Sequence, residues 1–247
     1  MPDRRQHRGP HPEDRQLFTS AMLPVLNRAV ADLSWLLSRG YSPDAALQLV
    51  GDHFQLVQRQ RLAVRRCSCS DQVLWHVQRT EVPAECWQGQ HVAVDGFNVL
   101  ITVEAALAGG VLLLGRDGCL RDMASLHGSF RQVEETAPAL ERVGQVLSAC
   151  GVGPTTWYLD RPVSNSGRLA QRIRDLAVHH QWPWQVEVVR DVDHVLKESP
   201  HMIATADSGV LGYCQRWCNL AWEVVARRVP TAPLLALDGR SDASLPS

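Results

Sequence analysis

Three short apolar segments of the sequence each end in an aspartate, and a helix-like segment follows each of them within a few residues. The segments HVAVD, TTWYLD and MIATAD end at Asp95, Asp160 and Asp207. A fourth aspartate, Asp193, opens a short helix-like segment behind another apolar run. One such aspartate alone is a common helix N-cap. Because ligands bind at the carboxyl ends of parallel strands, we expect the four carboxylates to lie at one edge of a sheet.

Clustered carboxylates need a proton or a cation between them. Two carboxylates about 4 Å apart repel each other by about 4 kcal/mol at an effective dielectric constant of about 20. Oxygen ligands without cysteine or histidine select a hard ion, and Mg²⁺ usually takes one or two protein carboxylates and keeps positions for water and phosphate. The pattern therefore predicts Mg²⁺ or Mn²⁺ as the cofactor and metal-assisted phosphodiester hydrolysis as the reaction.

The elements that must position these residues belong to the second of two regions. Residues 10–90 contain apolar residues at helical spacing, which predicts a small all-helical domain. Over residues 91–229, strand-like runs alternate with helix-like segments, which predicts an α/β domain with a parallel sheet covered on both faces. Residues 230–247 are predicted to form a poorly ordered tail.

The helical region includes an arginine-rich segment, LVQRQRLAVRR, at residues 56–66. Residues 44–66 loosely resemble a helix-turn-helix, whose second helix would read DNA. The turn spacing is poor, however, and favours a helical bundle whose arginines face water.

Composition and charge exclude several classes of protein. The 247 residues carry a formal net charge of −1 and no basic tail, so a nucleic-acid contact must come from a local patch. The apolar runs are far shorter than the ~20 residues that span a bilayer. With no secretory signal at the N-terminus, the sequence predicts a cytoplasmic protein without a membrane partner. It contains neither a phosphate loop nor a G-x-G-x-x-G fingerprint, which argues against an NTPase or a dinucleotide-binding protein.

The strand ends also carry a family resemblance. VDGFNVL resembles the opening strand and turn of NYN ribonucleases in the PIN-like superfamily, WYLD resembles their strand that ends in an acid, and DVDHVLKESPHMIATADS resembles their second half. This resemblance covers about residues 91–215. It implies a PIN-like (NYN-like) fold and a metal-dependent nuclease, above all a ribonuclease, with RNA or else DNA as the substrate. The alternative is a non-catalytic module that keeps the fold and binds nucleic acid or protein.

The whole chain, over about residues 10–225, is similar to a second and broader group. This is the prokaryotic domain-of-unknown-function family 434, in which a small helical domain precedes a PIN-like domain. The similarity implies the same two-part organisation, and the family brings no established activity.

Carried over residue by residue, the NYN resemblance assigns roles at the strand ends. Asp95, Asp193 and Asp207 would be metal ligands, and Asp160 would be a ligand or a near neighbour. Asn98 would orient a ligand or the scissile phosphate. These five residues form the expected catalytic set.

Further residues would support this set. Gly96 would permit the tight turn after the first strand, and Thr205 would brace the last of the aspartates. The segment 109–135 intervenes where simpler relatives pass directly to a helix, and it brings Asp117 and Asp122 within reach of the site. A solvated loop is the simpler interpretation of both aspartates.

Two groups of polar residues are candidates for binding phosphate. The helix start after TTWYLD presents backbone amides beside arginines, which suits a phosphate and equally suits an ordinary capped helix. The second group lies in GCLRDMASLHGS, which is predicted to be a helix and adds Arg121, with His127 as a candidate general base. The expected substrate-binding residues of the first group are Arg161, Ser164, Ser166 and Arg168.

Overall fold

A parallel five-stranded sheet forms the centre of the second half of the chain in the computed structural model, which describes residues 7–124 and 130–240. Its apolar strands are buried, as expected of strands covered by helices on both faces. In chain order the strands of the protein are β1 (Val92–Asp95), β2 (Leu112–Gly115), β3 (Leu120–Arg121), β4 (Thr155–Asp160), β5 (Trp184–Val189), β6 (Met202–Ala204), β7 (Trp217–Cys218) and β8 (Leu234–Leu237).

Helices surround this sheet and form the whole of the N-terminal region. Within the described residues, no helix is both long and apolar enough to cross a bilayer. In chain order the helices are α1 (Asp14–Leu17), α2 (Leu23–Ser38), α3 (Pro43–His53), α4 (Gln58–Cys67), α5 (Asp71–Thr80), α6 (Gly96–Leu107), α7 (Thr136–Ala149), α8 (Ser166–His180), α9 (Val192–Lys197), α10 (Ser208–Leu211) and α11 (Leu220–Arg228).

The strand order of the large sheet is β5-β4-β1-β6-β7, with every neighbouring pair parallel. The chain runs from β1 outward through β4 and β5, then returns to the other side of β1 for β6 and β7. The order therefore reverses between β1 and β6. In open α/β sheets such a switch point leaves a crevice outside the carboxyl ends of the strands, where ligands bind.

Alternate residues of β1 point to the two faces of the sheet. Val92 and Val94 pack into the core that includes residues of α6, α7, α8 and α11. Ala93 packs into a second core with residues of α5, α9 and α10. The mixed α/β architecture with a parallel sheet, predicted from alternating strand and helix patterns, is confirmed.

The N-terminal helices pack against a smaller sheet of order β3-β2-β8. Helices α2 and α4 share one apolar core with Leu113 of β2 and Leu237 of β8. The tail prediction for residues 230–247 is therefore wrong for its first part, because β8 pairs in parallel with β2 and Leu237 is fully buried. Residues 241–247 lie outside the described part of the chain.

The segment predicted as a helix, GCLRDMASLHGS, instead begins with a strand. Gly118 adopts a left-handed φ of 76°, and the chain turns so that β3 pairs antiparallel with β2. Cross-strand pairing therefore overrides the helical pattern of these residues. His127, the candidate general base, lies at 125–129, outside the described residues.

Candidate active site

The four predicted aspartates, which come from different strands and helices, line one cavity of about 400 Å³ at the carboxyl edge of the large sheet. Asp95 ends β1 and Asp160 ends β4, while Asp193 lies in α9 and Asp207 lies between β6 and α10. Asp95 and Asp207 thus lie on either side of the switch point. The sequence predicted that these four carboxylates lie at one edge of the sheet, and all four line the same cavity.

Asp95 is the buried member of the group. The pKa of its carboxyl is raised to about 7, mainly by burial. The hydrogen bond from Thr205 acts to lower this pKa, and the negative charges of Asp207 and Asp193 act to raise it. The Thr205 hydroxyl donates to Asp95 Oδ2 at 2.8 Å. A cation in the cavity would offset both the burial and the repulsion that disfavour the ionised form.

The loop between β6 and α10 is fixed to the start of α6 by two side chains. Thr205 Oγ1 accepts a hydrogen bond from the backbone N–H of Asp207 at 3.1 Å while donating to Asp95, so it links the Asp95 carboxylate to the backbone of Asp207. Asn98 Oδ1 accepts from the backbone N–H of Ala206 at 2.8 Å. No acceptor in the described part of the chain takes a hydrogen bond from Asn98 Nδ2, which leaves this amide free to donate to a ligand.

Two of the aspartates cap helices as well as lining the cavity. The Asp95 side chain accepts from the backbone N–H of Asn98 at 3.4 Å, and the Asp207 side chain accepts from that of Gly209 at 2.7 Å. N-capping uses only part of the acceptor capacity of a carboxylate. The same aspartate can therefore cap a helix and also take part in a ligand site.

Asp160 is half-buried and Asp193 is exposed, and both line the cavity. Burial raises the pKa of both carboxyls, and the charge of Asp207 contributes at Asp193. Asp193 does not open α9 as the sequence suggested: Asp191 is the N-cap, accepting from His194 N at 2.9 Å. Asp193 is the second residue of the helix and lines the cavity from there.

Comparison with known proteins identifies the segment that carries this cavity. The protein-family model described as "Domain of unknown function (DUF5616)" matches residues 84–223, which is more than half of the chain. The chain belongs to the DUF5616 family. A second model, "Protein of unknown function (DUF434)", matches residues 25–79. The resemblance to family 434 is thus confirmed for the helical region, whereas the DUF5616 region is the α/β part.

One relative is similar to most of the chain. The "Uncharacterized protein MJ0935" of Methanocaldococcus jannaschii is 31% identical over 186 residues, which cover 75% of this chain and 88% of the relative. No solved structure gives a significant match to the chain.

Gly96, at the start of the first DUF5616 helix, has a different role from the one predicted. Its φ is not left-handed, so the position does not need glycine for a tight turn. A Cβ at this position would lie 2.8 Å from the backbone oxygen of Tyr158 and 2.5 Å from Leu159 Cδ2. The missing side chain therefore lets α6 begin directly against β4.

We expect Gly96→Ala to lower the free energy of unfolding by about 1–3 kcal/mol, because the added methyl group overpacks the contact with β4. Urea unfolding measures the change. The matched control is Gly167→Ala in α8, where an added Cβ meets nothing within 4 Å. That variant should keep or slightly raise the stability. A Gly96→Ala midpoint equal to that of wild type would contradict the close contact.

Arg121 lines the cavity of the DUF5616 domain but does not present a free guanidinium to it. It forms a bidentate ion pair with the buried Asp117, at 2.8 and 2.6 Å, and its Nε donates to the backbone oxygen of Ala206 at 2.8 Å. The prediction that Arg121 binds substrate is therefore corrected: it positions the loop before Asp207. Asp122 also lines the cavity, and it accepts a hydrogen bond from the Thr102 hydroxyl at 3.0 Å.

The predicted phosphate cradle at the start of α8 lies apart from this cavity. The buried Ser166 hydroxyl donates to the backbone oxygen of Val163 at 2.7 Å, and Arg161 donates to that of Val188 at 3.2 Å. Both groups serve the local backbone of the DUF5616 domain. In the described chain, the cavity lining includes none of the four predicted residues of this cradle, which were Arg161, Ser164, Ser166 and Arg168.

The sequence analysis did not predict that one wall of the cavity comes from the DUF434 region. Leu62, Arg65 and Arg66 of α4 line the same cavity as the strand-end aspartates. Arg66 donates to the backbone oxygens of Asp122 and Ala124. The arginine content of α4 was a visible signal, but it was interpreted as the water-facing side of a bundle.

The donor set fits a hard divalent ion that is held by few protein ligands. Among residues 7–124 and 130–240, no three or more His, Cys, Asp or Glu side chains come close enough together to form a metal-binding group. Mg²⁺ usually needs only one or two protein carboxylates, with water and phosphate as its other ligands. The cavity offers oxygen donors of this kind at Asp95, Asp193 and Asp207, together with room for those further ligands.

Proposed function

We propose that this chain is a Mg²⁺- or Mn²⁺-dependent endonuclease that hydrolyses RNA with a PIN-like domain. The observation that carries the proposal is the cavity at the switch point, which is lined by Asp95, Asp160, Asp193 and Asp207. The reversal of strand order beside β1 supports it, since this is where ligands bind in open α/β sheets. The resemblance of residues 91–215 to NYN ribonucleases supports the PIN-like assignment.

Each side chain has a distinct task in this proposal. Asp95 and Asp207, on either side of the switch point, would hold the ion, and Asp193 would approach it from α9. Thr205 holds the Asp95 carboxylate with one hydrogen bond and the backbone of Asp207 with the other. A bound Mg²⁺ or Mn²⁺ supplies an activated water and neutralises charge on the phosphate.

The remaining two residues act on the substrate and on water. Asn98 is fixed by its oxygen to the backbone of Ala206, so its Nδ2 donates to a phosphate oxygen. Asp160 accepts one hydrogen bond from the backbone of Val192 at 3.3 Å, through Oδ1. Its Oδ2 would accept a hydrogen bond from the attacking water and orient it.

One observation favours the non-catalytic alternative, a binding module that keeps the fold. The described side chains do not form a group of three ligands that could hold a metal on its own. In the catalytic proposal the substrate phosphate and water complete the ion's coordination. In the alternative, the cavity binds nucleic acid or protein and cleaves neither RNA nor DNA.

A cleavage assay tests the proposal. Wild type and Asp95→Asn are incubated with a mixed-sequence RNA pool, in Mn²⁺ and in EDTA, and the products are resolved on a denaturing gel. We expect cleavage only by wild type and only with Mn²⁺. Equal cleavage by both proteins would place the activity outside the cavity. Absence of cleavage of both RNA and DNA by wild type would favour the binding module.

A further inference from the structure

Helix α4 adds a cationic wall to the cavity that the aspartates line. It carries Arg59, Arg61, Arg65 and Arg66 and contains no acidic residue. A second depression, of about 680 Å³, continues along the same helix and shares Leu62 and Arg65 with the aspartate cavity. The two depressions therefore form one track that passes from the strand ends along α4.

Three of these arginines are committed to the protein itself. Arg59 pairs with the buried Asp14 at 2.5 and 2.9 Å. Arg61 pairs with Asp52 at 2.7 Å and also donates to a backbone oxygen. Arg66 donates to the backbone of the segment after β3. Their guanidinium groups mainly hold the helices and the small sheet in place.

Arg65 is in a different situation. Its side chain is 55% exposed, and its ion pair, at 3.0 Å, is with Asp44, which is 81% exposed. Exposed pairs of this kind are weak, so another anion readily replaces the carboxylate. Arg65 also lies where the two depressions meet.

From this placement we infer that Arg65 is a substrate-binding residue, which holds a backbone phosphate of a single polynucleotide strand running from the aspartate cavity along α4. The inference rests on the proposed function. A cavity lined by five aspartates repels a polyanion unless cations flank it, and Arg121, which also lines the cavity, is neutralised by Asp117. The DUF434 region thereby contributes directly to substrate binding.

Binding of a fluorescein-labelled single-stranded RNA, followed by anisotropy in Mn²⁺, tests the inference. All proteins carry Asp207→Asn, so that the RNA stays intact. We expect Arg65→Glu to weaken binding about tenfold or more. Arg65→Ala should lower the slope of log K against log salt by about 0.7, the value for one phosphate contact on a single strand.

The matched control is Arg172→Glu, which makes the same charge change on the exposed face of α8, away from both depressions. It should bind RNA as the parent does. Arg65→Lys should keep most of the salt slope, and melting curves check that every variant is folded. Equal binding by Arg65→Glu and Arg172→Glu would overturn the inference while the proposed function stands. A parent that neither binds RNA nor, with Asp207 restored, cleaves it would overturn both.

Discussion

Replacing Asp207 by asparagine is expected to reduce metal-dependent cleavage by about a thousand-fold and to leave the melting temperature unchanged or slightly higher. Loss of a charged metal ligand removes several kcal/mol of transition-state stabilisation, and about 4 kcal/mol corresponds to that factor. The fold should tolerate the change because asparagine is an equally good N-cap, and it can still accept from Gly209 N. It also removes a charge that repels Asp95 and Asp193.

Asp191→Asn is the matched control for this prediction. Asp191 caps α9 in the same way, through a side chain that accepts from His194 N, but it does not line the cavity. Melting curves and cleavage rates are measured on the same preparations. Asp191→Asn should cleave at the wild-type rate. If Asp207→Asn matched it in both measurements, Asp207 would be a helix cap and nothing more.

The second large effect is expected from the metal itself. Mn²⁺ at about 100 times its Kd should raise the free energy of unfolding by about 2.7 kcal/mol, because the ion binds the folded protein and not the separated carboxylates of the unfolded chain. Asp95→Asn should abolish this stabilisation. Asp95 is the carboxylate that burial and the charges of its neighbours disfavour most, so it has the most to gain from a cation.

Thermal melts with and without Mn²⁺ measure this effect at constant ionic strength, which removes the contribution of salt screening. Asp191→Asn should show the full wild-type stabilisation. An identical Mn²⁺ shift in Asp95→Asn and wild type would mean that the ion binds elsewhere on the protein.

The strand ends were predictable because their signal is local. An apolar run, an aspartate and a helix start are adjacent in sequence, and the parallel topology alone brings such ends to one edge. Asp95, Asp160 and Asp207 therefore followed from the pattern. Asp193 was found for a partly wrong reason, since its neighbour Asp191 is the residue that begins α9.

The errors concern contacts between residues that are distant in sequence. Nothing near Arg121 reveals that its guanidinium donates to the backbone oxygen of Ala206, 85 residues later. The close approach that requires Gly96 comes from β4, about sixty residues later. A run of amides and arginines at the start of α8 predicts a phosphate site, yet it does not tell whether those groups face the cavity.

The wall formed by α4 was missed for the same reason. This helix packs on the small sheet, and that sheet is completed by β8, which returns from the end of the chain to pair with β2. The sequence LLAL is short and follows a proline-containing turn, so it gave little indication of a strand. Without β8, the arginines of α4 have no predictable position relative to β1.

The most direct test of the central claim, that the carboxylates at the switch point hold a divalent ion, is anomalous scattering from crystals of the protein soaked in Mn²⁺. We predict an anomalous peak in the cavity, within coordination distance of Asp95 and Asp207, and its loss in Asp95→Asn crystals. Wild-type crystals with no peak in the cavity, or with an equal peak in the variant, would contradict the claim.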